Sequence, residues 1–181
     1  MRRWSPRRPA VYFTRGFQRR SVDATERRRR KGELLVLLLF LKGREREVVG
    51  RVTLSNVVRG AFHAASVGYA LAEPHRGRGL MHEALRAVLD YAFGPMGLHR
   101  VTAAWMPSNR PSGRVLRRLG FHRDGLARKY LLIDGKWEDH VLTSLVNTRW
   151  RPPADQAAQG EESTAKTRRT RRAQRKASQR G

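Results

Sequence analysis

The chain has 181 residues, 39 Lys and Arg against 15 Asp and Glu, a net charge of +24 and no cysteine. That length builds one ordinary domain with a core and is short for two. The composition excludes disulfides, thiol nucleophiles and cysteine-based zinc sites, and the longest apolar run, Leu34–Leu41, is too short to span a bilayer.

The cations are unevenly placed: twelve against two acids in residues 1–32, eighteen against ten in 33–150, and nine against three in 151–181. Both ends therefore read as basic arms with an attraction for polyanions such as RNA, a ribosome or a polyphosphorylated cofactor. The early arginines precede no apolar run, so no signal peptide is expected. Within the first segment, Phe17–Lys31 reads as a helix stopped by Gly32, with its arginines at the negative C-terminal end. Residues 33–150 form the expected folded domain. There Glu33–Lys42 reads as a buried strand, Val48–Leu54 as its hairpin partner, SNVVRGAFHAAS as a connector and Ser66–Leu71 as a third strand. Gly79–Phe93 carries Met81, Ala84, Leu85, Val88, Leu89 and Ala92 at helical spacing. Val101–Met106 reads as a strand, and Pro111–Leu119 as a short helix ended by Gly120. Phe121–Leu132 and Lys136–Leu145 read as a closing hairpin around the DGK turn. Residues 151–181 lack apolar periodicity and are expected to be a disordered basic tail. The order β-β-β-α-β-α-β-β predicts an α+β, three-layer arrangement: a mixed, mostly antiparallel twisted sheet with flanking helices.

The stretch PHRGRGLMHEAL, Pro74–Leu85, joins the third strand to the strong helix. First-turn amides of a helix have no internal acceptors, and the helix dipole adds positive charge there. Gly77 and Gly79 let the backbone approach an anion closely, and Arg76 and Arg78 add charge. Together with Leu80 and Met81, these residues make a predicted pyrophosphate cradle. Neither a GxxxxGK[ST] loop nor a GxGxxG fingerprint accounts for it.

HRGRGLMHEAL resembles the pyrophosphate loop of the GNAT acetyltransferases, with the signature Gln/Arg-x-x-Gly-x-Gly/Ala filled by Arg76, Gly79 and, as a departure, Met81. Downstream, MPSNRPSGRVLRRLGF, Met106–Phe121, resembles the family's Asn-x-x-Ser…LGF segment. SNVVRGAFHAASVGYAL and YLLIDGKWEDHVLTSL are most similar to the RimJ-type ribosomal-protein alanine N-acetyltransferases, so the resemblance runs from about Trp4 to Trp150. It implies the GNAT acyl-CoA acyltransferase fold and transfer of acetyl from acetyl-CoA to a protein N-terminal amine, without a metal; the absence of cysteine fits a cytoplasmic protein. It also implies a cofactor lying between the SVGYAL and VTAAWM strands. Tyr69, Ala70 and Leu71 would then lie beside the pantetheine, with a nearby backbone amide as oxyanion donor. By the same resemblance Asn109 would bond the cofactor arm and Ser112 would protonate the leaving thiolate. The residue-level alternative for Asn109 and Ser112 is helix capping.

Some relatives carry a glutamate where this chain has Ser66, which leaves the base unassigned. An α-amine has a pKa near ~7.7–8.0 against ~10.4 for lysine, so a site without a dedicated base favours N-terminal amines. Glu73, His63, Asp139 and His140 are the remaining candidates, each with a plain structural role as the alternative. Trp105, Tyr130 and Trp137 read as core or groove wall. Relatives also carry a strand and helix ahead of the segment RRWSPRRP, so a shortened front end is expected, with an exposed sheet edge. The expected acceptor is a ribosomal-protein N-terminus, with the basic arms, including Arg168–Arg180, steering toward rRNA. A small amine such as an aminoglycoside or polyamine is the second acceptor class. An RNA-binding protein with a vestigial acetyltransferase domain is the third reading.

Overall fold

The computed structural model describes residues 4–152, and the predicted tail at 153–181 lies outside them. Met1–Thr148 form one compact unit, so the basic first segment belongs to the same body as the sheet. Arg149–Pro152, the described part of a second unit, holds no helix or strand.

Helix α1 spans Arg15–Arg30. Thr14 caps it by accepting from the Phe17 amide at 3.3 Å. At the other end Gly32 takes φ +70°, and the Gly32 and Glu33 amides return to Arg29 O at 2.9 Å and Arg28 O at 3.0 Å. That double return needs a left-handed residue, which glycine supplies without a Cβ clash. Four arginines fill the last turn. Glu26 accepts from Arg29 at 2.7 and 2.8 Å and from Arg30 at 3.2 Å, and these bonds hold its carboxyl down at about 2.

Strands β1 (Leu35–Leu41), β2 (Arg44–Val58), β3 (Ala64–Leu71), β4 (Arg100–Trp105), β5 (His122–Ile133) and β6 (Lys136–Val146) form one sheet in the order β1-β2-β3-β4-β6-β5. Only β3 and β4 pair in parallel, so the sheet is the mixed, mostly antiparallel one expected. Helix α2 (Leu80–Phe93) crosses from β3 to β4, and α3 (Arg110–Arg118) links β4 to β5. The apolar spacing of α2 is used as read: Met81, Leu85, Val88, Leu89 and Ala92 are buried against Val52, Leu54, Val67, Val101 and Ala103 of the sheet. Helix α3 buries Leu116 and ends in the same double return as α1, with Phe121 N to Leu116 O and Gly120 N to Arg117 O. The buried Phe121 and Leu116 supply the hydrophobic contact that accompanies this motif.

Two expectations are corrected. The first strand is not buried: β1 is the sheet edge, with Leu38 53% and Phe40 44% exposed. An uninterrupted apolar run cannot by itself report that one face lacks a cover. The second strand is longer than its alternating core, because β2 serves β1 along its first part and β3 along its second. It thereby absorbs the front of the expected connector, with a bulge between Ser55 and Val58 where Asn56 takes φ +51°.

A cleft through the sheet as candidate active site

The site follows from the parallel pair. β3 and β4 are in register only at Ala64/Arg100, Ala65/Val101 and Ser66/Thr102. At the last rung the Ser66 and Thr102 hydroxyls meet at 3.0 Å. Beyond it β3 stays with β2 and β4 stays with β6, so the two strands part. In a strand the backbone groups of successive residues point to opposite edges. The Ala72 amide donates to Val49 O at 2.8 Å, on the β2 side. Val67, Tyr69 and Leu71 therefore turn their amides and carbonyls into the gap. Consistent with this, Leu71 O accepts from Arg76 Nε at 3.3 Å.

The gap opens at one end on the Pro74–Leu85 turn. Its short 3-10 segment, Glu73–His75, closes with Arg76 N to Glu73 O at 3.1 Å. The next bond in the chain is Glu83 N to Gly79 O at 3.1 Å. Between them the amides of Gly77, Arg78, Gly79, Leu80, Met81 and His82 meet no acceptor among the described residues. Gly77 and Gly79 have φ of +77° and +81°, with open space where a Cβ would point. Six unpaired donors at a helix N-terminus can hold a diphosphate.

A cavity of about 610 Å³ occupies the gap. Tyr69, Ala70, Leu71, Arg76, Gly77, Gly79, Leu80, Met81, Asn109 and Ser112 all line it. Arg78 does not: its side chain is exposed outside the cleft, and only its amide belongs to the donor run. Asn109 caps α3, its Oδ1 accepting from Ser112 N at 3.4 Å. The capping reading thus describes one end of that side chain, while the residue still borders the cleft. The Ser112 Oγ lies 2.7 Å from the Tyr69 hydroxyl, a pair that sequence spacing did not reveal. Burial pushes the Tyr69 phenol up to about 12, partly opposed by the Ser112 bond. Because the folded value lies above the ordinary 10.0, this contribution to stability is intact below pH 10 and is lost as pH rises toward about 12. Tyr69→Phe is expected to remove that decline in a urea-unfolding series across pH 9–12; an unchanged decline would assign it elsewhere.

Trp105 is the cleft wall expected of it, and what sequence reasoning missed is its seat on Gly113. Its Nε1 is buried without a partner among the described residues, and its ring lies against Gly113, where a Cβ would sit 2.6 Å from Cη2. Arg114 and Arg118, one and two turns along α3, also line the cleft, as do His82 and His140. The other base candidates lie elsewhere. His63 is buried ahead of β3, Glu73 is exposed, and Asp139 accepts from Lys129 N at 2.8 Å across the β5 bulge. Tyr130 and Trp137 are corrected to surface residues, 46% and 62% exposed. Among the described residues no group of three or more His, Asp or Glu is placed to hold a metal, and no helix is long and apolar enough to cross a membrane.

A second cavity, about 920 Å³, meets the first at Ser5, Pro6 and Ala70. It lies over the sheet face opposite α2, between the first residues of the chain and the β5–β6 turn. Arg7, Arg8, Arg51 and Tyr12 line it, with Asp134 ion-paired to Arg7 at 3.4 Å.

Comparison with known proteins agrees with this architecture. A family model described as an acetyltransferase (GNAT) domain matches residues 1–122. A ribosomal protein uS5-alanine N-acetyltransferase of Escherichia coli is 49% identical over 108 residues, 60% of this chain and 56% of the relative. The chain thus spans little more than half the length of that relative. YjcK of Bacillus subtilis, a probable N-acetyltransferase, is 41% identical over 75% of each chain. Among solved structures, a ribosomal-protein-S5-alanine acetyltransferase from Vibrio fischeri superposes with a TM-score of 0.80 at 36% identity, covering 83% of this chain and 82% of the other. Mycobacterium smegmatis RimJ, solved with CoA-disulfide, gives 0.77 at 32%, covering 88% and 78%.

Proposed function

This chain belongs to the GNAT acetyltransferase family, and from that premise we propose that it moves acetyl from acetyl-CoA to the N-terminal α-amine of a ribosomal protein, at an alanine. The observation that carries the reading is the run of unpaired amides, Gly77–His82, at the mouth of a cleft that passes through the sheet. Acetyl-CoA supplies a thioester carbonyl open to attack by an amine. The diphosphate cradle is Gly77, Gly79, Leu80 and Met81 with Arg76, while Arg114 and Arg118 add positive charge along α3. Backbone donors of β3, at Tyr69 and Leu71, stabilise charge that develops on the carbonyl oxygen. Asn109 and the Trp105 indole have donors left for the amide arm. Either oxygen of the Tyr69–Ser112 pair can donate, and in the arrangement where Tyr69 does, the Ser112 hydroxyl proton is directed to the departing sulfur.

The names of the Escherichia coli and Vibrio fischeri relatives support the ribosomal acceptor. Charge supports a peptide over a polyamine or aminoglycoside. Arg7, Arg8, Arg51, Arg76, Arg114 and Arg118 line the joined cavities against one acid, Asp134, a setting that repels cationic small molecules. The exposed cations of α1 would raise the rate of encounter with a ribosome.

Acetyl-CoA at about 100 times its dissociation constant is expected to add about 2.7 kcal/mol of stability, read as a raised melting temperature. Intact-mass spectra of ribosomal proteins from cells with and without the gene should differ by one acetyl group on one N-terminus. Unchanged masses would remove the ribosomal acceptor. No stabilisation by acetyl-CoA, with RNA binding retained, would leave the RNA-binding reading.

A further inference from the structure

Acetyl transfer leaves one proton to place, that of the attacking amine. We propose that His140 is the general base that takes it, from the sheet face opposite Ser112; the assignment rests on the acetyl-transfer reading above.

His140 sits on β6, paired with Ala127 of β5, and is only 4% exposed. Its Nδ1 lies 3.0 Å from Glu138 O. A carbonyl can only accept, so Nδ1 carries the hydrogen and Nε2 of the neutral ring carries the lone pair. Nε2 makes no bond within the described residues, and the residue lines the cleft. The Tyr130 ring lies 5.6 Å from the imidazole, tilted by 58°. A buried imidazole with one nitrogen committed and the other open to a cavity is arranged to accept a proton there.

The face it occupies follows from register. Val141 and Thr143 are buried and pair with Trp105 and Ala103 on the helix side of the sheet. By alternation His140 lies on the other side. The same count puts Tyr69, with Val67, on the helix side and Gly68 and Ala70 on the far side. The cleft therefore has the Tyr69–Ser112 pair at one face of the strand gap and His140 at the other, where the second cavity joins at Ala70. As the N–C bond forms and the C–S bond breaks, the amine gives one proton to His140 Nε2 and the sulfur takes one from Ser112. Solvent then takes the proton from His140 and returns one to Ser112, which restores both groups.

Of the acids and imidazoles lining the two cavities, the others are unsuited. Asp134 is paired with Arg7 at the hairpin turn, and His82 is in the first turn of α2, at the diphosphate end. The titratable and charged groups that line the cleft with His140 are Tyr69 on β3, Arg76 and His82 at the turn into α2, and Arg114 and Arg118 on α3, while Tyr130 lies beside the imidazole outside the cleft.

The test compares wild type, His140→Gln and His140→Ala in acetylating a synthetic peptide that begins with alanine, from pH 6 to 9. Both variants are expected to lose about 100-fold or more in kcat at pH 7, to recover part of it as pH rises, and to keep their acetyl-CoA affinity. Rates within twofold of wild type across the range would overturn the assignment. Nitrogen-15 NMR of the wild-type ring gives a readout free of turnover. In the acetyl-CoA complex Nε2 should appear unprotonated near neutral pH, and an Nε2–H tautomer would overturn the proposal even if no peptide is acetylated. Absence of turnover by all three proteins would instead remove the acceptor assigned above.

Discussion

Gly113→Ala is expected to lower the melting temperature by about 5 °C and kcat by about 100-fold. Position 113 has no room: an added Cβ would lie 2.6, 2.7 and 2.8 Å from three atoms of the Trp105 ring. The ring cannot swing away easily, because it packs against the core at the end of β4. Helix α3 must retreat instead, and it carries Ser112 and the Asn109 cap on its first turn. A retreat of under an ångström breaks the 2.7 Å contact between Ser112 and Tyr69. Thermal melts and peptide acetylation measure the two effects. The double variant Gly113→Ala/Trp105→Leu removes the obstructing ring and is expected to regain part of the stability. A single variant as stable as wild type would show that the helix is not seated on this ring.

Gly79→Val is expected to weaken acetyl-CoA binding by about 100-fold, the equivalent of about one to two charge-assisted hydrogen bonds. Gly79 holds φ +81° at the N-cap of α2, a conformation that costs a residue with a side chain about 1–2 kcal/mol and a β-branched one more. No atom lies within 4 Å of the would-be Cβ, so the change disturbs the anion mouth rather than the core. Calorimetry of acetyl-CoA binding, with the melting temperature as a check on folding, reads it. Unaltered affinity would mean that the turn is not where the diphosphate rests.

Much of this site was readable from the chain because its parts are local. A strand, a glycine-bearing turn and an amphipathic helix follow one another within Ser66–Phe93, and each announces itself by spacing. The NRPSG stop-and-start likewise marks the cap of α3. What escaped depends on distance through space. Tyr69 and Ser112 are 43 residues apart and meet because β3 and α3 border one gap. Gly113 reads as an ordinary small residue until Trp105 is seen against it. Arg78 shares the motif with Arg76, yet only Arg76 turns back to the Leu71 carbonyl. The exposure of β1 is a property of sheet order, and Trp137 lies on the far side of a register shift between Ala127 and Leu131 that the sequence does not announce.

The most direct test is an amide NMR titration of the intact chain with coenzyme A. The Gly77, Gly79, Leu80 and Met81 signals should move furthest as the complex saturates, ahead of every amide in α1 and β1. Saturable binding that leaves those four signals in place would contradict the account.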